Sequence, residues 1–282
     1  MLPAWASIVL LSLTQGTVVA LPRAVSLGRL GRLGGRAWAL VPPLSVILFV
    51  VVTLAAERAS VDALTYLALV AVPVLAALAL AWASAPARPV AALLVPALFA
   101  VAWADRSGVA GQACAVALTA LSCVTLGAML ASVTPPRWLA AGIVAMAVAD
   151  TFLVVSNQLQ QPNGTLTATH PAAGLPRLQA ALLGGSSLGY GDLFAAAVLG
   201  ALLVRVGGRR AQLRGAALTA LLALAMDALF FVVDELPATV PVATALLIMC
   251  AARRRSARRR SRPPAAPARA PVVPQARAPA GP

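Results

Sequence analysis

Charged side chains are scarce in this chain of 282 residues, and lysine is absent altogether. Asp, Glu, Lys and Arg together make up 11% of the residues, whereas hydrophobic residues make up 61%. A soluble domain needs a more polar surface than this composition supplies, so the sequence predicts an all-α polytopic membrane protein. All 22 cationic side chains are arginine, which is typical of a GC-rich bacterial coding sequence.

Side chains that bind metals or act as nucleophiles are also few. His170 is the only histidine, and the chain has no HExxH motif, so zinc and serine intramembrane proteases receive no support. Cys114, Cys123 and Cys250 all lie in apolar stretches, where an odd number of cysteines predicts small packed side chains rather than disulfides or a metal site. We therefore expect no cofactor.

The apolar residues fall into nine segments that approach the roughly 20 residues a membrane-spanning helix needs. These segments are residues 2–22, 38–56, 63–83, 88–104, 109–131, 138–158, 178–204, 215–233 and 237–252. The first has no basic n-region, so we interpret it as a helix of the bundle rather than a cleaved signal peptide. The sequence thus predicts a nine-helix membrane domain over residues 1–252.

Arginine is distributed unevenly between alternate loops, and this distribution predicts the orientation. With the N-terminus outside, the inner loops and the C-terminal tail hold 19 of the 22 arginines. The five acids in loops all fall on the outer side: Glu57, Asp62, Asp105, Asp234 and Glu235. We therefore expect a multi-pass protein of the cell membrane, in a bacterium the inner membrane, with its C-terminus in the cytoplasm.

The C-terminal tail, residues 253–282, is rich in arginine, proline and alanine and contains no acid. This composition predicts disorder, and its positive charge predicts a position near anionic lipid head groups of the bilayer. A charge run that sets membrane orientation explains the tail better than a nucleic-acid partner does.

Three acids remain inside predicted spans: Asp150 in the sixth, Asp192 in the seventh and Asp227 in the eighth. Each costs about 2.5–3.5 kcal/mol at the centre of a membrane, which indicates a function. The separation from Trp138 to Asp150 equals that from Asp192 to Val204, so antiparallel spans place the two acids at similar heights. We predict that these two acids pair, and a structural or proton-coupling role for Asp227 stays open beside a catalytic one.

Small residues surround Asp192 in the tetrapeptide Gly189-Tyr190-Gly191-Asp192. If the segment is helical, Gly185 and Gly189 share a face with Asp192, and small residues let neighbouring helices approach closely. Residues 184–187, Gly-Gly-Ser-Ser, weaken a helix just before it. Two carboxylates in contact share a proton, which is the acid–base arrangement of aspartic proteases.

A proline-containing stretch, Pro237-Ala238-Thr239-Val240-Pro241, opens the ninth span. Its two prolines lack an N–H and disfavour helix before them. A non-helical stretch at this position leaves backbone groups free to pair with a bound extended peptide.

Together these features resemble the presenilin and signal peptide peptidase family of intramembrane aspartyl proteases. The family pattern is nine spans, Tyr-Asp in span six, Gly-x-Gly-Asp in span seven and Pro-Ala-Leu at the start of span nine. Here Gly189 to Asp192 match the second motif, Ala149-Asp150 supplies the first aspartate without the tyrosine, and Pro237-Ala238-Thr239 supplies the third with threonine for leucine.

The resemblance implies an intramembrane aspartyl endopeptidase with its catalytic core in residues 138–252. Asp150 and Asp192 would be catalytic, while Gly189, Tyr190, Gly191 and residues 237–239 (Pro-Ala-Thr) would bind the substrate. The orientation resembles the signal peptide peptidase branch, which implies cleavage of transmembrane segments or remnant signal peptides whose N-terminus faces the cytoplasm. The sequence leaves the substrate and the oligomeric state open.

Three other interpretations remain. Gly-Tyr-Gly-Asp also ends a potassium-channel filter, but the segment from Leu193 to Val204 makes about 18 Å of helix, too short for a roughly 30 Å core. Prepilin peptidases share Gly-x-Gly-Asp, but they have a lysine soon after it where Leu193 and Phe194 stand here. A proton-coupled transporter or a catalytically inactive membrane protein is the third alternative.

Overall fold

The fold is that of a computed structural model, which describes residues 3–28, 34–55, 57–160, 162, 164, 174–231 and 237–260. The protein is mostly helical, with eight α-helices in the described residues. Five helical segments are long and apolar enough to cross a membrane, which indicates a multi-pass membrane protein. Two shorter apolar helical segments, Trp5–Ala20 and Pro89–Ala104, accompany them.

In chain order, the α-helices are α1 (Ala4–Ala20), α2 (Val41–Ala55), α3 (Glu57–Leu78), α4 (Leu94–Ala104), α5 (Val109–Val133), α6 (Pro136–Val155), α7 (Tyr190–Asp227) and α8 (Val240–Arg260). Short 3₁₀ segments precede α2 (Arg36–Leu40) and α4 (Pro89–Leu93) and follow α7 (Ala228–Phe231), and a π-helical turn, Ala79–Ala83, extends α3. Two strands, β1 (Ala180–Leu183) and β2 (Ser186–Gly189), come immediately before α7.

Helix α7 consists of two arms that fold back on each other. Gly208 joins the arms with φ 71° and ψ −176°, a conformation that glycine adopts without strain. A Cβ placed on Gly215 would collide with the Leu203 side chain, so the chain reverses between these residues. The first arm (190–207) and the second arm (209–227) occupy the seventh and eighth predicted spans.

The first arm of α7 lies at the centre of the bundle, and every residue from Leu193 to Leu203 is buried. Small residues let its neighbours approach closely. A Cβ on Gly127 of α5 would lie 2.7 Å from the Ala197 carbonyl carbon, and a Cβ on Gly200 would collide with the Val19 carbonyl of α1. Helix α1 therefore packs tightly against the first arm, and its Gly16 packs against Ala220 of the second arm in the same way.

A β-hairpin replaces the start of the seventh predicted span. We expected helix from residue 178, with Gly185 and Gly189 on one helical face with Asp192, and both expectations are wrong. β1 and β2 pair antiparallel, and Gly184 and Gly185 form the two-residue turn with φ of 55° and 91°. Two successive positive φ angles are typical of the turn type that matches the twist of a tight hairpin, and glycine is the residue that adopts them most easily.

Arginine side chains collect at one end of the bundle. The Arg205 guanidinium donates to the Ala131 and Thr134 carbonyls at the end of α5, and Arg209 donates to the Ala20 carbonyl at the end of α1. Arg253 donates to the Val206 carbonyl at 3.0 Å, which brings α8 to the same end. Cations are favourable beside the free carbonyls of a helix C-terminus, so these arginines also cap helices.

Helix α8 continues to Arg260, past the predicted boundary between the membrane domain and a disordered tail. Residues 253–260, which we expected to belong to a disordered tail, are helical in the structure. Alanine and arginine are both good helix formers, which explains why the helix does not stop where the apolar residues do. Residues 261–282 of the tail lie outside the described residues, as do His170, Asp234 and Glu235.

Candidate functional site

Asp150 lies on α6, which begins at Pro136, a position where the missing N–H of proline costs nothing. The side chain is buried, with 8% of its surface exposed. Its Oδ2 accepts a hydrogen bond of 2.6 Å from the Thr239 hydroxyl. A buried carboxylate needs such donors to offset the loss of water, so the proline-containing stretch supplies what Asp150 requires.

Thr239 belongs to a turn that leads into α8. The Val240 N–H donates to the Pro237 carbonyl at 3.0 Å, and the Ala243 N–H donates to the Thr239 carbonyl at 3.1 Å. Pro237 and Ala238 are partly exposed, whereas Thr239 is 2% exposed. The turn therefore directs the Thr239 hydroxyl inward to Asp150 and leaves the two residues before it nearer the surface.

Asp192 occupies the first turn of α7, in a different setting from Asp150. Its Oδ2 accepts a hydrogen bond of 3.1 Å from the N–H of Gly189, the N-cap residue. Because glycine has no side chain, only this half of a capping box exists here. A carboxylate at a helix N-terminus is favoured by the helix dipole, and Asp192 is partly exposed.

The two carboxylates lie close enough for the charge of Asp150 to act on Asp192. Their helices touch beside them, since a Cβ on Gly191 would lie 3.3 Å from Met146 Cε, one turn before Asp150 on α6. The stretch of α6 from Pro136 to Asp150 and the stretch of α7 from Asp192 to the end of the first arm are nearly equal in length. Both carboxylates thus lie roughly 20 Å along their helices from the arginine-bearing end.

Tyr190 is held by α5. The Ser122 hydroxyl donates to the Thr119 carbonyl at 2.7 Å, so its oxygen accepts the Tyr190 O–H, at 2.9 Å. The Cys123 thiol lies 3.7 Å from the Tyr190 carbonyl. These contacts anchor the start of α7 to α5, and a substrate-binding role for Tyr190 stays a prediction.

Asp227 lies at the end of the second arm of α7. Its Oδ2 accepts a hydrogen bond of 2.7 Å from the Ser12 hydroxyl on α1. The charge of Asp150 acts on Asp192, and the catalytic pairing of these two acids stays a prediction.

The structure brings together five of the residues singled out from the sequence: Asp150 with Thr239, and Asp192 with Gly189 and Gly191. Two further residues contact the site but belong to no sequence motif. Ser122 of α5 binds Tyr190, and the side-chain amide of Gln15 of α1 donates to the Ala238 carbonyl at 2.7 Å. A polar residue in an apolar span is the only signal that marks either of them. In the described part of the chain, no group of three His, Cys, Asp or Glu side chains is placed to hold a metal ion.

Comparisons of the chain with models of protein families, with curated protein sequences and with solved structures give no match.

Proposed function

We propose that the chain is an intramembrane aspartyl endopeptidase in which Asp150 and Asp192 act as one acid pair. The observation that carries the proposal is the position of two acids on helices that touch at Gly191 and Met146, inside a bundle with five helices able to span a membrane. We propose that the two carboxylates share one proton, because carboxylates in contact ionise together only at a high cost. A pair in this state suits hydrolysis of an amide bond.

In the proposed reaction, the ionised carboxylate takes a proton from water while the protonated one donates to the scissile carbonyl. The water oxygen adds to the carbonyl carbon. The C–N bond then breaks, and the new amine leaves with a proton from the pair. Water is the nucleophile, so no cofactor takes part.

The surroundings of the pair support an extended peptide as substrate. β2 ends at Gly189, which is exposed, and Pro237 and Ala238, which precede the Asp150 partner Thr239, are partly exposed. Each strand of a two-stranded sheet has one edge that the sheet itself does not pair, and extended peptides bind to such edges. A transmembrane helix that unwinds beside Asp192 would meet these groups.

The same residues support a relationship to the presenilin and signal peptide peptidase family. Gly189 to Asp192 and Asp150 stand in the order of that family's motifs. The chain departs from the pattern at Ala149 and at Thr239, where the family has tyrosine and leucine. The Thr239 hydroxyl gives Asp150 a donor that a leucine does not offer.

We propose nine spans in a bacterial inner membrane, with the N-terminus outside and the C-terminus in the cytoplasm. The arginines that meet at one end of the bundle support this orientation, as does exposed Asp105 at the opposite end, beside the start of α5. Exposed tryptophans flank both ends, Trp38 and Trp138 near the arginines and Trp5 and Trp103 at the other end, as expected for a belt at each lipid interface. Substrate helices would then enter with the N-terminus in the cytoplasm.

The test is cleavage in liposomes that contain the purified full-length protein and a single-helix reporter labelled at both termini. We expect cleavage when the reporter N-terminus lies on the arginine-bearing side, and a block by a peptide with a hydroxyethylene group in place of the scissile amide. Asp150→Ala and Asp192→Ala should both be inactive. Full activity in both variants would refute the proposal.

A proton-coupled transporter is the second candidate, because Asp227 is a half-buried acid in a predicted span whose carboxylate accepts from Ser12. Proton flux into the same liposomes under a pH gradient, lost in Asp227→Asn, would support it. The potassium-channel alternative fits less well, since residues 190–192 form the first turn of α7 and their carbonyls point along the helix axis rather than into a pore.

A further inference from the structure

We propose that Gln15 of α1 is a positioning residue for the acid pair and acts through the turn that carries Thr239. This inference rests on the proposed function. Gln15 lies outside every motif of the sequence, and its effect on Asp150 passes through two hydrogen bonds. It does not touch the reacting atoms.

The first bond joins Gln15 to the turn. The Gln15 side-chain amide donates to the Ala238 carbonyl at 2.7 Å, and Gln15 is 2% exposed. In a helical first turn, the residue three positions later often supplies a donor to such a carbonyl, but here that residue is Pro241, which has no N–H. Gln15 supplies the donor that the proline lacks.

The second bond joins the turn to the acid. Thr239 follows Ala238 directly, and its hydroxyl donates to Asp150 Oδ2 at 2.6 Å. A peptide plane fixed by Gln15 on its carbonyl side fixes the position from which the Thr239 side chain projects. The two bonds therefore form a path from α1, through the turn, to the carboxylate of Asp150.

Helix α1 is a rigid base for this path, because its glycine and its backbone pack closely against both arms of α7. A Cβ on Gly16, next to Gln15, would lie 2.6 Å from the Ala220 Cβ. The same arms carry Asp192 at the start of the first and Asp227 at the end of the second. Gln15 thus links the helix that packs against the Asp192 arm to the turn that holds Asp150.

The chain also provides a matched control on α1. Ser12 lies one turn before Gln15 and is buried, and its hydroxyl donates to Asp227 at 2.7 Å. Removing either side chain deletes one buried hydrogen bond of α1. Only the Gln15 bond leads to the candidate site.

The experiment compares Gln15→Met, Ser12→Ala and Thr239→Val in the full-length protein, using the doubly labelled reporter helix in liposomes. Methionine keeps the length and apolar contacts of glutamine but has no donor. We expect Gln15→Met to lower kcat about 10-fold to 100-fold with KM within about 2-fold, since a misplaced catalytic group costs rate rather than affinity. Ser12→Ala should keep kcat within about 2-fold.

Two further measurements separate a positioning role from a general packing defect. In the Thr239→Val background, Gln15→Met should change kcat less than about 2-fold, because residues on one path are not additive. Amide hydrogen exchange of residues 237–243 should become faster in Gln15→Met and stay unchanged in Ser12→Ala. Equal effects of Gln15→Met in the presence and absence of the Thr239 hydroxyl, or unchanged exchange, would overturn the proposal.

The exchange measurement does not depend on catalysis. If the parent protein cleaves no reporter but Gln15→Met still loosens residues 237–243, the proposed function fails while the Gln15 path stands. If the parent cleaves and Gln15→Met behaves like Ser12→Ala, the path fails and the proposed function stands.

Discussion

Two acids of the bundle have nearly the same local partner and yet lie in different settings. Asp150 accepts a hydrogen bond of 2.6 Å from the Thr239 hydroxyl, and Asp227 accepts one of 2.7 Å from the Ser12 hydroxyl. Asp150 also lies close enough to Asp192 for their charges to interact. The side-chain hydrogen bond that Asp227 accepts comes from Ser12 on α1.

This difference distinguishes a carboxylate that only has its hydrogen-bond donor from one that belongs to a candidate catalytic site. A hydroxyl donor is what any partly buried carboxylate needs, so the bond alone is evidence of stability. A second carboxylate beside the first adds repulsion that stability does not require. The approach of Asp150 and Asp192 is therefore the feature that calls for a function.

The largest predicted effect comes from making each acid site apolar. We expect Asp150→Leu with Thr239→Val to lower the cleavage rate by about 10⁴-fold, as expected when a catalytic group is removed. Asp227→Leu with Ser12→Ala should leave cleavage within about 3-fold. The free energy of unfolding of both double variants should lie within about 1 kcal/mol of the parent value, because replacing both partners of a buried hydrogen bond is nearly neutral. A cleavage rate equal to that of the parent in the Asp150 variant would contradict the assignment of different roles to Asp150 and Asp227.

The next prediction concerns the two hydroxyl donors taken singly. Thr239→Val should lower kcat about 10-fold to 100-fold, because the Asp150 carboxylate loses the hydroxyl donor that holds it in position. Thr239→Ser keeps a hydroxyl and should keep most of the activity. Ser12→Ala is the control. It should lower the free energy of unfolding by about 1 kcal/mol and leave kcat nearly unchanged. Equal losses of kcat in Thr239→Val and Ser12→Ala would contradict the comparison.

A smaller effect is expected at Gly191, which tests whether the space beside Asp150 and Asp192 receives the substrate. A Cβ would lie 3.3 Å from Met146 Cε, the end of a flexible side chain, so Gly191→Ala should fold normally. If this space receives the substrate, KM for the reporter should rise about 3-fold to 10-fold while the melting temperature changes little. Gly200→Ala is the matched control for a packing glycine, because its Cβ would collide with the Val19 backbone and should lower the melting temperature.

The smallest predicted effect is at Tyr190, whose hydroxyl anchors the start of α7 to Ser122. Tyr190→Phe removes the bond to Ser122 and should cost about 1 kcal/mol of stability. The cleavage rate should fall no more than about 3-fold. A loss comparable to that of Asp192→Asn would mean that the tyrosine hydroxyl takes part in the chemistry.

Much of this arrangement could be predicted from composition and spacing. Long apolar segments marked the helices, and the counted positions of Asp150 and Asp192 on antiparallel spans predicted two acids at one height. That prediction needs only the rise per residue of a helix, which does not depend on neighbours.

The β-hairpin before α7 could not be predicted from hydropathy, because a short apolar run fits a buried strand or a helix equally well. Gly184-Gly185 between two such runs is a hairpin signal, and we interpreted it as a weak point in a helix. The hairpin is compatible with a membrane protein because β1 packs against α5 and the Gly184 N–H donates to Gln112 at 2.7 Å. The roles of Gln15 and Ser122 depend on helix packing, which no local pattern encodes.

The central claim is that Asp192 works with Asp150 and not with Asp227. The most direct test is the ratio of reporter cleavage rates in Asp227→Asn and Asp150→Asn, measured in the same liposomes at equal protein density. We predict a ratio of about 10³ or more, with Asp227→Asn close to the parent and Asp150→Asn as slow as Asp192→Asn. A ratio near one, or a faster Asp150→Asn variant, would contradict the assignment of the pair.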